Sequence, residues 1–208
     1  MKRKQGCATA AALLAVALSA CSNSDDDTLQ VDELASGSYT VSVGDVAAPK
    51  FGRYYAGNDG SHVLVLVDSD EHANQLYRRD TSGHWQAVPK AHGEVRVLNS
   101  TARSASAITT AALSGDYQTQ IDGSIVASFS VQADGTIVPG ASSCKLGGTL
   151  AASTVPGTLK LTLTAAACGS LPASSGGLLI VDADDAPAQF RLIADNGTAL
   201  VDLWAFAD

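Results

Sequence analysis

Leu159-Lys160-Leu161-Thr162-Leu163-Thr164 decides the fold class. Three leucines alternate with lysine and threonine, and a period of two puts them all on one face of a half-buried strand. The same alternation runs through Ile125, Ala127, Phe129 and Val131, against Val126, Ser128, Ser130 and Gln132. Asp134-Gly135 follows as a hairpin turn. Lys145-Leu146-Gly147-Gly148-Thr149-Leu150 begins just after Cys144, and Cys168 follows the leucine strand. Leu178-Leu179-Ile180-Val181 reads as a buried strand. Gln189–Ile193, the turn Asp195-Asn196-Gly197, and Ala199–Phe206 form a closing hairpin. Roughly seven or eight short strands between 113 and 208 predict an antiparallel sandwich or up-and-down barrel. No helical crossover separates them, so no parallel sheet is expected.

Upstream, residues 35–98 predict a small antiparallel meander of roughly three to five strands, too small for a large core and leaning on its neighbour. Tyr39, Val41 and Val43 alternate with Thr40 and Ser42. His62-Val63-Leu64-Val65-Leu66-Val67 is nearly all apolar, which reads as a central strand buried on both faces. Gln75–Arg79 and His84–Val88 flank a turn containing Gly83 and read as a hairpin. Asp68–Asn74 reads as an acidic loop with room for one helical turn. Asn99–Ala107 is short, polar and without apolar period, so 99–112 reads as a linker. The whole is expected to be all-β.

Aromatics make up only 5 % of the chain and the formal net charge is -8. Basic residues such as Arg78-Arg79 form no long stripe, so nucleic acid is not an expected partner. Acidity of this kind chiefly confers solubility.

The chain opens on Lys2-Arg3-Lys4, an apolar stretch from Ala8 to Leu18, then Leu18-Ser19-Ala20-Cys21. Basic start, short apolar core and small residues before a cut site make an export signal, too short to cross ~30 Å of hydrocarbon. Leu18-Ser19-Ala20-Cys21 resembles the lipobox of bacterial lipoproteins. The resemblance implies removal of residues 1–20, a lipid on the Cys21 sulfur, and acylation of the new amino terminus, with palmitate-like chains holding the protein on a membrane. By the sorting pattern of those lipoproteins, Ser22, not aspartate, implies the outer membrane of a two-membrane envelope. Residues 21–34, starting with Ser22-Asn23-Ser24-Asp25-Asp26-Asp27-Thr28, read as an acidic flexible tether.

With Cys7 in the signal and Cys21 lipidated, Cys144 and Cys168 remain in an exported chain and are expected to form a disulfide. A closed loop of about 25 residues is worth roughly 3 kcal/mol. A metal or redox pair is the rival reading, without a Cys-x-x-Cys motif or a nearby histidine in its support. The region from Asp134-Gly135 through Cys168 resembles small disulfide-bearing β modules of bacterial surface lipoproteins. Its two cysteines and closing hairpin also resemble a small periplasmic protease-inhibitor barrel. The tryptophan that family places after the second cysteine is absent here, where Gly169 follows Cys168, so its function is not carried over.

Little else points to chemistry. His62, His72, His84 and His92 form no His-Glu-x-x-His pattern. Asp68-Ser69-Asp70-Glu71-His72 lacks the spaced oxygens and glycine of a calcium loop, and it and Asp182-Ala183-Asp184-Asp185 read as solvated turns. There is no Gly-x-Ser-x-Gly elbow and no phosphate-cradling Gly-Lys-Ser/Thr loop. No catalytic residue, metal site or cofactor is assigned. Trp85 and Trp204 are the candidate binding aromatics, with packing in a core or hairpin as the alternative. The expectation is a lipid-anchored, non-enzymatic envelope protein, structural or binding a protein, peptide or glycan. A hydrolase assembled from His62, His84 and Asp68, or a periplasmic protease inhibitor, is the alternative. A cleft lined by histidine and carboxylates favours the hydrolase, a closed barrel with a protruding amino-terminal segment the inhibitor, and an exposed aromatic patch the binding protein.

Overall fold

The computed structural model describes residues 28–208 except 122 and 124. Cys21, the signal and residues 21–27 of the tether lie outside the described residues. The protein is all-β. The first half contains β1 (Gln30–Val31), β2 (Gly37–Asp45), β3 (Ala48–Ala56), β4 (His62–Val67), β5 (Ala73–Arg79), β6 (Trp85–Val88), β7 (Glu94–Val95) and β8 (Val97–Arg103). The second half contains β9 (Gly115–Ile121), β10 (Ile125–Val131), β11 (Thr136–Pro139), β12 (Lys145–Ala152), β13 (Thr158–Ala166), β14 (Ser174–Ile180), β15 (Phe190–Asp195) and β16 (Leu200–Ala207).

Strands β9 to β16 close into an antiparallel barrel, each paired with its neighbours in sequence and β16 pairing back to β9. The period-two pattern explains the closure. Leu159, Leu161 and Leu163 point inward while Lys160, Thr162 and Thr164 face solvent. Eight strands leave an interior that side chains can fill. Here Phe129, Leu146, Leu179, Phe190 and Leu192 fill it, with Tyr117 and Phe190 edge to face at 4.7 Å. The Asp134-Gly135 turn closes β10 on β11 as expected, with Gly135 at φ 91°. Cys144 and Cys168 are bonded, with Cα atoms 4.5 Å apart, and join the start of β12 to the end of β13.

The first half forms a six-stranded antiparallel sheet in the order β6-β5-β4-β3-β2-β8. This is more than the expected three to five strands, because Val97–Arg103 folds back beside β2. Much of the segment expected as linker 99–112 is therefore strand. Its lack of apolar period has a physical cause: β8 is an edge, and Leu98 to Ala102 are all exposed. Asp68–Asn74 contains no helical turn; Glu71 takes a left-handed φ of 64° instead. The expected flexible tether to residue 34 ends sooner. Leu29 and Val31 are buried against Val41, Val43, Tyr54, Leu64 and Leu66, and they cover one face of the sheet. Strand β1 pairs β7 in parallel, over two residues.

The other face of the sheet lies on the outside of the barrel. Tyr55, Val65 and Leu76 pack against Leu178, Ile180 and Ile193. This is why β4 is apolar at successive positions, with Leu64 and Leu66 facing one core and Val65 the other. Gly52 sits at a close approach within this sheet: a Cβ there would stand 2.0 Å from the Val65 carbonyl oxygen.

Candidate functional site

A groove of about 720 Å³ opens where the β4–β5 turn meets the barrel. Its lining includes His72, Gln120, Leu171, Leu200, Trp204 and Phe206, with the exposed Asp70 and Glu71 at its rim. The groove is built on a buried ion pair. Strand β15 is covered on both sides, so Phe190, Leu192 and Ala194 fill the barrel while Arg191, Ile193 and Asp195 meet the sheet. A guanidinium only 6 % exposed needs a partner. Arg191 Nε and Nη2 donate to the two carboxylate oxygens of Asp202, both at 2.7 Å. Nη2 also donates to the Glu71 carbonyl at 2.8 Å. The guanidinium lies 4.5 Å from the centre of the Trp204 ring.

Asp202 Oδ2 further accepts from the Ala73 amide at 2.7 Å. Asp68 Oδ1 accepts from the amides of Asp70 and His72. Residues 68–73 are thus fixed from both sides. His72 Nδ1 is 3.9 Å from Asp202 Oδ2, beyond hydrogen-bond distance, and its side chain is 64 % exposed. Asp202 is committed to Arg191 and Ala73, so it does not orient the imidazole as a base.

A second hollow of about 360 Å³ lies by Tyr55, Arg103 and Asp182. Asp182 is not the solvated turn residue that the sequence suggests, being mostly buried, whereas Asp184 is 64 % exposed; each pairs with both Arg53 and Arg103. Asp185 stands next to them, and burial together with the Asp182 charge raises its carboxyl to about 6. Burial pushes the Tyr55 hydroxyl well above its ordinary range. These charges hold the sheet to the barrel.

The residues expected to form a hydrolase site are not brought together. His62 and Asp68 lie at and just beyond opposite ends of β4, about 20 Å apart at ~3.3 Å per residue. His62 is buried on the far face of the sheet, where Nδ1 shares a 2.9 Å hydrogen bond with the Tyr54 hydroxyl, and desolvation lowers its proton affinity. His84 sits in the β5–β6 turn, bonded to Ser82 Oγ. Trp85 is half-buried in the core beside His62, with ring centres 6.0 Å apart. Trp204 does line the groove. Nor does the segment entering the barrel protrude, since Ile108 and Leu113 pack against its core.

Arg191 and Asp202 were not singled out from sequence, although each carries a signal: a charge inside the apolar runs Phe190–Ala194 and Leu200–Leu203. Among the described residues, no helix is long and apolar enough to cross a membrane. No protein-family model, curated protein or solved structure matches the chain.

Proposed function

We propose that this is a lipid-anchored, non-enzymatic protein of the cell envelope, most simply of the outer membrane, with a binding role exercised through the groove beside Trp204. The observation that carries the reading is the order along the chain. A basic and apolar leader ends in Leu18-Ser19-Ala20-Cys21, a polar stretch follows, and Leu29 is buried in the folded body. That order suits a folded body held a short distance from a membrane. Multiple acyl chains supply the anchoring strength, at ~0.8 kcal/mol for each buried methylene. The groove adds support for binding. Its buried charges are spent on holding the β4–β5 turn, while Trp204 and Phe206 remain partly open beside Asp70 and Glu71.

The test is Cys21→Ser in cells grown with labelled fatty acid. The expected result is an uncut precursor without acyl label, and recovery of the unaltered protein with outer-membrane markers. Normal cleavage and membrane retention of the variant would overturn the anchor. Recovery of the unaltered protein with inner-membrane markers would overturn the sorting.

The hydrolase reading retains one observation, the placement of His72 in a groove with carboxyl groups. It requires that His72→Ala abolish any hydrolytic activity found in the purified protein.

A further inference from the structure

We infer that the groove between the β4–β5 turn and β16 recognises an extended peptide segment that alternates basic and apolar side chains. This rests on the binding role proposed above and names the class of its partner. The size is suitable: about 720 Å³ falls within the ~300–1,000 Å³ of typical ligand sites.

Two halves of the groove differ in chemistry. One half is apolar. Phe206 is 39 % exposed, and Trp204, Leu200 and Leu171 are partly exposed around it. Open aromatic surface of this kind marks recognition sites in a chain with so few aromatics. The other half is acidic, with Asp70 and Glu71 exposed on the rim. Among the described residues that line it there is no lysine or arginine. The cation beneath it, Arg191, is neutralised by Asp202 and by the Glu71 carbonyl. The groove therefore presents negative potential, on a chain whose formal charge is -8. A neutral sugar can hydrogen-bond to those carboxylates but gains no charge pairing from them, and an acidic peptide is repelled by the rim. A basic side chain can pair with Asp70 or Glu71 while an apolar neighbour covers Trp204 and Phe206.

The acidic rim is also held in place before any partner arrives. Arg191 Nη2 fixes the Glu71 carbonyl, Asp202 fixes the Ala73 amide, and Glu71 is kept at a φ of 64°. A rim already ordered loses little conformational entropy on binding.

The experiment uses the full chain carrying Trp85→Phe, so that Trp204 is the one remaining indole. The probe is a short peptide alternating lysine and leucine. Comparison probes are the same peptide with glutamate for lysine, and a neutral glucan oligosaccharide. The expected result is a saturable shift of Trp204 emission with the lysine–leucine peptide alone, weakening as salt rises. Asp70→Asn with Glu71→Gln should weaken that binding about tenfold. Phe206→Ser, at an exposed position that does not threaten folding, should weaken it as well. The inference is overturned if the lysine–leucine peptide gives no shift, if the glutamate peptide or the oligosaccharide binds equally well, or if the rim variants bind unchanged. A response to the oligosaccharide alone overturns the partner class and leaves a binding role standing. The anchor stands or falls separately, on the acylation of Cys21.

Discussion

Asp185 is the residue at which the packing of the two halves is least comfortable. It ends a 3-10 turn, Ala183–Asp185, close to Asp182 and facing Arg53, Arg103, Arg191 and Tyr55. Its carboxyl rises from an ordinary 3.8 to about 6, by burial first and Asp182 second. A carboxyl whose folded value is raised favours the folded protein below the unfolded value. That contribution is lost as pH climbs through about 6. Asp185→Asn should therefore stabilise the protein near neutrality by on the order of 1–2 kcal/mol after solvent screening. It should also flatten the pH dependence of urea unfolding between about 4 and 6. An unchanged profile would show that Asp185 ionises normally. Asp202→Asn should have the opposite effect, since it leaves the Arg191 guanidinium buried with only part of its pairing, at a cost of about 3–5 kcal/mol. Replacing both, Arg191→Met with Asp202→Leu, should recover much of that loss in thermal melts; a double variant as unstable as the single one would contradict this. At this scale sequence said least. An arginine inside Phe190–Ala194 signals an unusual environment, but its partner comes from a different strand and its third contact from Glu71, 120 positions away.

At the scale of the element, turns and alternation were legible. Asp134-Gly135, Asp195-Asn196-Gly197 and the Gly83 turn each close a hairpin, because their residues accept the backbone angles that tight turns need. Strand β8 was not legible, since an edge strand exposed along its length has no apolar face to announce it. The disulfide joins β12 to β13 across a separation of 24 residues. Reduction, or Cys144→Ser with Cys168→Ser, should cost about 3 kcal/mol and lower the melting temperature by roughly 6–12 °C. A melting temperature that does not move would show that the bond adds nothing to these strands. Gly177 also limits the barrel: a Cβ there would stand 2.0 Å from the Ile193 carbonyl oxygen, so Gly177→Ala should destabilise by about 1–3 kcal/mol in denaturant titrations.

At the scale of the molecule, the sheet and the barrel share a core. Tyr55, Val65 and Leu76 on one side meet Leu178, Ile180 and Ile193 on the other. Doubly apolar runs in β4 and β14 were the visible trace of this contact, while the choice of face required the fold. Tryptophan emission and far-ultraviolet dichroism should report one unfolding transition. Val65→Asp, which places an unpaired charge in that contact, should split it into two. Strand β13 keeps Leu159, Leu161 and Leu163 inside the barrel and Lys160, Thr162 and Thr164 outside, the reverse of a strand whose apolar face meets lipid. In the proposed account, attachment to a membrane falls to the amino terminus. Mass spectrometry of the protein extracted from membranes tests that claim most directly. The account expects a mature chain that begins at Cys21 and carries acyl mass on that residue. A membrane-extracted chain in which Cys21 is internal, or is a free thiol, would contradict it.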